Sequence, residues 1–235
     1  MRRYLFVHGL NTTPDVWDEL ASTVESEGEQ TVRVLLKGHD PDQPLAKDLH
    51  FEDWIHDIEH AMEAHPSSEW VGLGFSLGGL SLTYLSLQRP GLFKRLILLA
   101  PALAIQPWVY SAKLLFPWLN TRTTSMTPKH IRAHASINMH YLQAIFELQK
   151  RTVENFEEKA SDLPPTTVFM AWHDELVNYH GVKKLCEKHE QVDFVQVKPK
   201  RRSLTDWGHM VVDSSTMPEE DWKKVVSAVL NHQKP

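Results

Sequence analysis

Gly74-Phe75-Ser76-Leu77-Gly78 sets a serine between two glycines, directly after the apolar run Trp70 to Phe75 and directly before a leucine-rich segment that Arg89-Pro90 closes. A serine on a tight strand-to-helix turn takes strained backbone dihedrals, and glycines two positions to either side leave room for neighbouring chain. Such a turn projects the hydroxyl from the carboxyl end of a sheet and turns the Leu77 N–H, at a helix N-terminus, into the same space. The hydroxyl is a poor nucleophile until a base takes its proton, and the base needs an acid to hold its tautomer. Asp174, just beyond the apolar run Thr166 to Trp172, and His209, in a loop beyond the last such run, are of the right types. Asp206 is a rival acid, but three residues before His209 it has to fold back on a turn to reach the ring. The chemistry this order of serine, acid and histidine points to is acyl transfer through a covalent intermediate.

Bringing residues 76, 174 and 209 together requires a fold that delivers distant loops to one edge, and the rest of the chain reads that way. Short apolar runs at 3–7, 31–36, 70–75, 94–99, 166–172 and 192–197 predict strands. Between them, helices are expected over 14–24, with Thr13 as N-cap and Pro14 at the first position, over 51–64, from Gly78-Gly79 to Gln88, over 179–188 and over 219–230. Phe51, Ile55, Ile58 and Met62 stand at helical spacing. Lys94 to Leu99 is a continuous apolar run, as expected of a strand buried on both faces. The alternation predicts an α/β fold, a mostly parallel sheet covered by helices on both faces. Residues 102–165 interrupt it: no good strand is expected there, and the length calls for helical structure of its own. We read this stretch as an inserted helical cap on a core of 1–101 and 166–235. Its aromatic and methionine residues, among them Trp108, Tyr110, Trp118, Met126, Tyr141 and Phe146, read either as packing or as the cover of a pocket.

Composition narrows the classes of function. A chain of 235 residues, 42% hydrophobic and 23% charged, fits one folded domain with an insertion. With 25 basic and 30 acidic residues the net charge is −5, which offers no footprint for nucleic acid. Cys186, the single cysteine, excludes an internal disulfide framework and suits a reducing compartment; within a predicted helix it reads as a small packing residue. Tyr4 to Val7 is too short an apolar stretch for a signal peptide, and no run approaches the ~20 residues of a membrane span. A soluble, cytoplasmic protein without stable membrane insertion is expected. Of the 14 histidines, His56/His60 and His130/His134 stand four apart, yet neither pair lies in an H-E-x-x-H pattern, so no metal is expected. The basic cluster at 198–202 reads as a solvated loop.

On His8-Gly9 after the first strand, the 74–78 pentapeptide, the segment Trp172 to Val177 and Gly208-His209, the chain resembles the α/β-hydrolases, in particular the small carboxylesterase and monoglyceride-lipase-like members with a helical cap. The resemblance covers essentially the whole chain and implies the family's sheet without its first strands. It implies Ser76 as nucleophile, Asp174 as acid and His209 as general base, with the amides of Leu10 and Leu77 as the oxyanion hole. His8 is expected to brace the loop that carries Leu10, and Lys37-Gly38-His39-Asp40 resembles a loop that shapes the fold beside the site. Two departures from the family pattern stand out. Ala171 and Asn178 replace a glycine and a proline around the acid, and Leu10-Asn11-Thr12-Thr13 replaces the usual run of glycines. The implied activity is cleavage of a small-molecule carboxylic ester with a short to medium acyl chain, without a cofactor. Leu10, Phe75, Trp108, Trp118, Trp172 and Met210 are the expected apolar lining. The same triad would serve a thioesterase, an amidase or a carbon–carbon bond hydrolase, and a small-molecule receptor on a hydrolase scaffold is the non-enzymatic alternative.

Overall fold

A computed structural model describes residues 2–110, 123–124, 127, 129–200 and 208–230. Six strands form one sheet: β1 (Arg2–Val7), β2 (Gln30–Val34), β3 (Glu69–Phe75), β4 (Arg95–Leu99), β7 (Thr166–Ala171) and β8 (Val192–Val197). Their order is β2-β1-β3-β4-β7-β8, and every neighbouring pair is parallel. The central strands β3 and β4 are buried at every position after their first residue, whereas the edge strands β2 and β8 are largely half-buried or exposed along their middle. That difference follows from how many faces and edges each strand must cover.

The helices are α1 (Asp18–Ser26), α2 (Phe51–Ala64), α3 (Leu77–Gln88), α4 (Met139–Lys159), α5 (Tyr179–Cys186) and α6 (Glu219–Leu230). The chain leaves β1 toward β2 and then crosses back to β3, so right-handed crossovers put α1 on the opposite face from α2 and α3. In keeping with this, α1 packs against α6, while α2, α3 and α4 pack on one another. Helix α2 buries the expected Phe51, Ile55, Ile58 and Met62 together with Trp54, and its start is closed by a reciprocal cap between His50 and Asp53. Helix α3 is buried on nearly all sides, with only Tyr84 and Gln88 outside; the Ser81 and Thr83 hydroxyls donate to the carbonyls of Leu77 and Gly79 at 2.9 and 2.8 Å.

Several expectations shift in detail. The stretch from Pro14 begins as a 3₁₀ turn, Pro14–Trp17, before α1. Thr13 has extended N-cap backbone geometry, but its hydroxyl donates to the Asp15 carboxylate in place of capping the backbone. The second strand stops at Val34, β7 stops before Trp172, and α5 stops at Cys186. Between β4 and β7 the backbone is helical at 107–110 and in α4, as anticipated. It also forms a two-residue antiparallel pair, β5 (Thr123–Thr124) with β6 (Ser136–Ile137), where no good strand was expected. Two residues are too few to leave an alternating pattern. In α4, Tyr141, Ala144, Ile145 and Leu148 lie buried at helical spacing in the same core as α3. Trp118 and Met126 lie outside the described residues. No helix among the described residues is long and apolar enough to cross a membrane.

Register decides what the sheet delivers. Val7 pairs with Gly74, Phe75 with Leu99 and Leu99 with Phe169, so β1, β3, β4 and β7 end nearly level. The residues that follow these ends therefore share one edge: Gly9-Leu10, Ser76, Ala100 and the 172–174 segment.

Candidate active site

Ser76 sits between the last residue of β3 and the first of α3 with φ 51° and ψ −110°, a conformation strained for any residue with a Cβ. The surrounding backbone holds it there: Ser76 N–H donates to Leu99 O at 3.0 Å, and Ser76 O accepts from Leu80 and Ala102 N–H at 3.0 and 3.1 Å. The start of α3 lies so close to the end of β1 that a Cβ on Gly78 would stand 2.0 Å from Val7 O. On the other side, a Cβ on Gly9 would meet the Phe75 ring at 2.7 Å and Ser76 Cβ at 3.2 Å, so the loop after β1 is pressed against the serine. The connection after β1 leads to one side of the sheet and that after β3 to the other, and the crevice outside such a switch point is where open α/β sheets bind ligands.

Asp174 follows β7. Its Oδ1 accepts from the backbone N–H groups of Leu176 and Val177 at 2.9 and 2.8 Å, leaving Oδ2 free for a side chain. That side chain is His209, whose Nδ1 lies 2.7 Å away, and the Nε2 of the same ring lies 2.9 Å from Ser76 Oγ. With the ring proton on Nδ1, donated to the carboxylate, Nε2 is an acceptor aimed at the serine hydroxyl. All three residues are buried, and the Phe75 ring lies 5.1 Å from the imidazole. Three positions separated by 35 to 133 residues thus form one hydrogen-bonded chain.

The loops carrying acid and histidine are tied to each other and to the segment after β4. Gln106 Nε2 donates to the carbonyls of Asp174 and Val177 at 2.9 and 3.3 Å, and the Trp108 indole donates to Glu175 O at 2.9 Å. Glu175 Oε2 accepts from Gly208 N–H at 2.7 Å, immediately before the histidine. Sequence reasoning passed over Gln106 and Glu175; contacts spanning 33 to 71 residues leave no local pattern.

The other expected residues are placed unevenly. Leu10 and Met210 are half-buried and Leu77 is buried. Trp108 and Trp172 are exposed at 53% and 47%, the latter with its ring on Tyr179 and His180. Trp118 and Asp206 lie outside the described residues. Burial pushes the Cys186 thiol up to about 12, which makes it an inert packing group. The His56 and His60 rings stack at 6.4 Å on α2, and among the described residues no three ligand-type side chains are grouped to hold a metal. A polar groove of about 360 Å³, lined by Tyr84, Gln88, Arg151, Glu154, Asn155 and Glu158, lies toward the far end of α3 from Ser76.

His8 uses both ring nitrogens on backbone: Nδ1 donates to Gly9 O at 2.9 Å and Nε2 accepts from Leu36 N–H at 3.1 Å. It therefore braces the loop after β1 against the end of β2. The His39 ring packs edge-on at 4.9 Å, and its Nε2 is buried with no partner among the described residues. Burial pushes His8 down to about 4 and His39 well below its usual value, so both rings are neutral in the native state. The unfolded chain takes up these protons near 6.5 and the folded one does not, so the stability these rings provide is present above about pH 6.5 and is lost as pH falls below it, through about 4 for His8. For His8 alone the loss is about 3 kcal/mol. Unfolding free energies from urea titrations at pH 7 and pH 4.5 should differ by at least most of this, and His8→Asn should reduce the difference; equal pH dependence for the two proteins would contradict the account.

Residues 5–130, more than half of the chain, match the family model described as the alpha/beta hydrolase fold. The chain belongs to the α/β-hydrolase fold family. No curated protein matches this α/β-hydrolase. Among solved structures, it is similar to one from work on LipS and LipT, two metagenome-derived lipolytic enzymes (16% identity, 97% of this chain and 91% of that one, TM-score 0.74). It is likewise similar to the monoacylglycerol lipase of Paleococcus ferrophilus (18% identity, 98% and 95%, TM-score 0.73). A third is the carboxylesterase CesB (YbfK) of Bacillus subtilis (16% identity, 99% and 85%, TM-score 0.63). At these identities the likeness is one of fold.

Proposed function

We propose that this α/β-hydrolase is a serine hydrolase that cleaves carboxylic esters of short to medium acyl chains through an acyl-enzyme. The observation that carries the reading is the continuous hydrogen-bonded chain from Ser76 Oγ through His209 to Asp174, built on a serine held in a strained turn. Such strain is kept where surrounding structure maintains it for a purpose. The names of the structural neighbours, lipolytic enzymes, a monoacylglycerol lipase and a carboxylesterase, support an ester as the bond cleaved.

His209 Nε2 takes the Ser76 proton as Oγ bonds to the ester carbonyl carbon, and the carbonyl oxygen gains the negative charge. Asp174 stabilises the imidazolium and keeps its orientation. Leu10 and Leu77 N–H groups receive the oxyanion; in support, neither has a hydrogen-bond acceptor among the described residues, and Gly9 already presses on Ser76. Each such donor contributes about 3 kcal/mol in the transition state. The tetrahedral adduct collapses, His209 gives its proton to the departing alkoxide, and the acyl group remains on Ser76. Water, deprotonated by the same nitrogen, then attacks the acyl carbon; the bond to Ser76 Oγ breaks, Oγ takes the proton back from His209, and the acid is released. Residues 102–165 serve as the cap, and Leu10, Phe75, Trp108, Trp172 and Met210 are the residues we assign to the acyl group's lining. No cofactor enters the reaction, the partner is a small-molecule ester, and the cytoplasm is the compartment.

Incubation with a fluorophosphonate should add one adduct to the intact mass of the wild-type protein, and nitrophenyl esters should be turned over with a preference among acyl lengths. Absence of an adduct together with background rates on esters would remove the reading. Higher specificity for a matched thioester or amide would move the preferred bond and leave the triad in place.

A further inference from the structure

The loop after β1 carries Asn11 in place of a glycine, and that residue is left-handed, φ 56°, and buried. Asparagine tolerates this conformation better than most side chains but less well than glycine. Its side chain supplies what glycine lacks. Asn11 Oδ1 accepts from His134 N–H at 3.0 Å and Nδ2 donates to His134 O at 2.9 Å, so the amide group pairs with one residue as a peptide group would. Either bond alone would leave the amide orientation open; the two together fix it.

The pairing continues on either side. Asn11 O accepts from Ala133 N–H at 3.2 Å, Thr13 N–H donates to Ile131 O at 2.9 Å, and Thr12 forms an antiparallel bridge with Arg132. Residues 11–13 are thus laced to 131–134, a stretch of the segment inserted between β4 and β7. From inside, Gly9 O accepts from the Thr12 hydroxyl at 2.9 Å and from His8 Nδ1 at 2.9 Å. Leu10 stands between these two anchors, and the direction of its N–H follows from the peptide planes they hold.

We infer that Asn11 is a positioning residue for the Leu10 N–H, through which residues 131–134 of the insertion set the geometry of the oxyanion site. The inference rests on the serine-hydrolase reading, and it assigns to the insertion a part in the chemistry beyond covering the substrate. A donor aimed at an oxyanion acts only when charge develops, so misplacing it lowers kcat and leaves ground-state binding alone.

Asn11→Gly keeps the backbone conformation and removes both amide bonds; Asn11→Asp keeps the acceptor for His134 N–H and loses the donor. At temperatures where circular dichroism reports folded protein, Asn11→Gly should lower kcat on a nitrophenyl ester roughly 10- to 100-fold with KM within about twofold. Affinity for phenylboronic acid should fall in the same proportion, because Ser76 Oγ bonds to boron, its proton passes to His209, and the tetrahedral adduct needs the same donors. Asn11→Asp should lose kcat and boronate affinity together, by about 10-fold, and it decides the matter alone if the glycine variant does not fold. Either folded variant with wild-type kcat and boronate affinity, or a loss confined to KM, overturns the assignment. A wild-type protein that takes no fluorophosphonate adduct and cleaves no ester overturns instead the reading on which it rests.

Discussion

Ser76→Ala and Ser76→Gly should both abolish ester turnover, with kcat falling on the order of 10⁶-fold, yet the glycine variant should be the more stable of the two. Both lose the hydroxyl and its 2.9 Å contact with His209, so they differ only in backbone. At an ordinary position glycine is the worse choice by roughly 0.5 to 1 kcal/mol, through the freedom it loses on folding. At φ 51° and ψ −110° the balance reverses, because a Cβ there costs about 1 to 3 kcal/mol that glycine does not incur. A net gain of about 1 kcal/mol corresponds to roughly 2 to 4 °C in a chain of this size. Scanning calorimetry of the two inactive variants checks it. An alanine variant that melts above the glycine variant would show that the turn is unstrained, and residual turnover in either would remove Ser76 from the chemistry.

Asp174→Asn should lower kcat about 10⁴-fold while leaving the fold in place. Asparagine can keep its carbonyl oxygen on the Leu176 and Val177 N–H groups, where Oδ1 now sits. Its NH₂ then faces His209 Nδ1 and donates to it, which moves the ring proton to Nε2. A protonated Nε2 cannot accept the serine proton, so the loss comes from the wrong tautomer and not from altered packing. Single-turnover acylation should slow by the same factor, with the melting temperature nearly unchanged. If Asp174→Asn stays within tenfold of wild type and Asp206→Asn does not, the acid is Asp206.

The strand-to-helix turn at Ser76 was legible because everything it needs is local: an apolar strand, flanking glycines and a helix start within a dozen residues. Helix α2 was legible for the same reason, since Phe51, Ile55, Ile58 and Met62 repeat at the period of one buried face. Helix α3 has no such period because it is buried almost all round, and its boundaries came from the glycines before it and Arg89-Pro90 after it. What stayed hidden is what depends on distant chain. Asn11 lies 123 residues from His134 and Glu175 lies 33 from Gly208; neither partner marks the other's neighbourhood. Ala171 and Asn178, departures from the family pattern, do not disturb the acid loop. Asn178 N–H donates to Ala104 O at 2.7 Å, a bond that the family's proline cannot make. Where the family pattern has a run of glycines after β1, Asn11 holds the left-handed conformation with its side-chain amide bonded to His134.

The lacing of residues 11–13 to 131–134 bears on any attempt to retool this scaffold. Grafting a foreign segment over 102–165 removes residues 131–134 and with them the partners of the loop beside Ser76. Chimaeras that transplant a donor's insertion should therefore bring along that donor's own 9–13 loop, since the two stretches behave as one module although the chain separates them by more than a hundred residues.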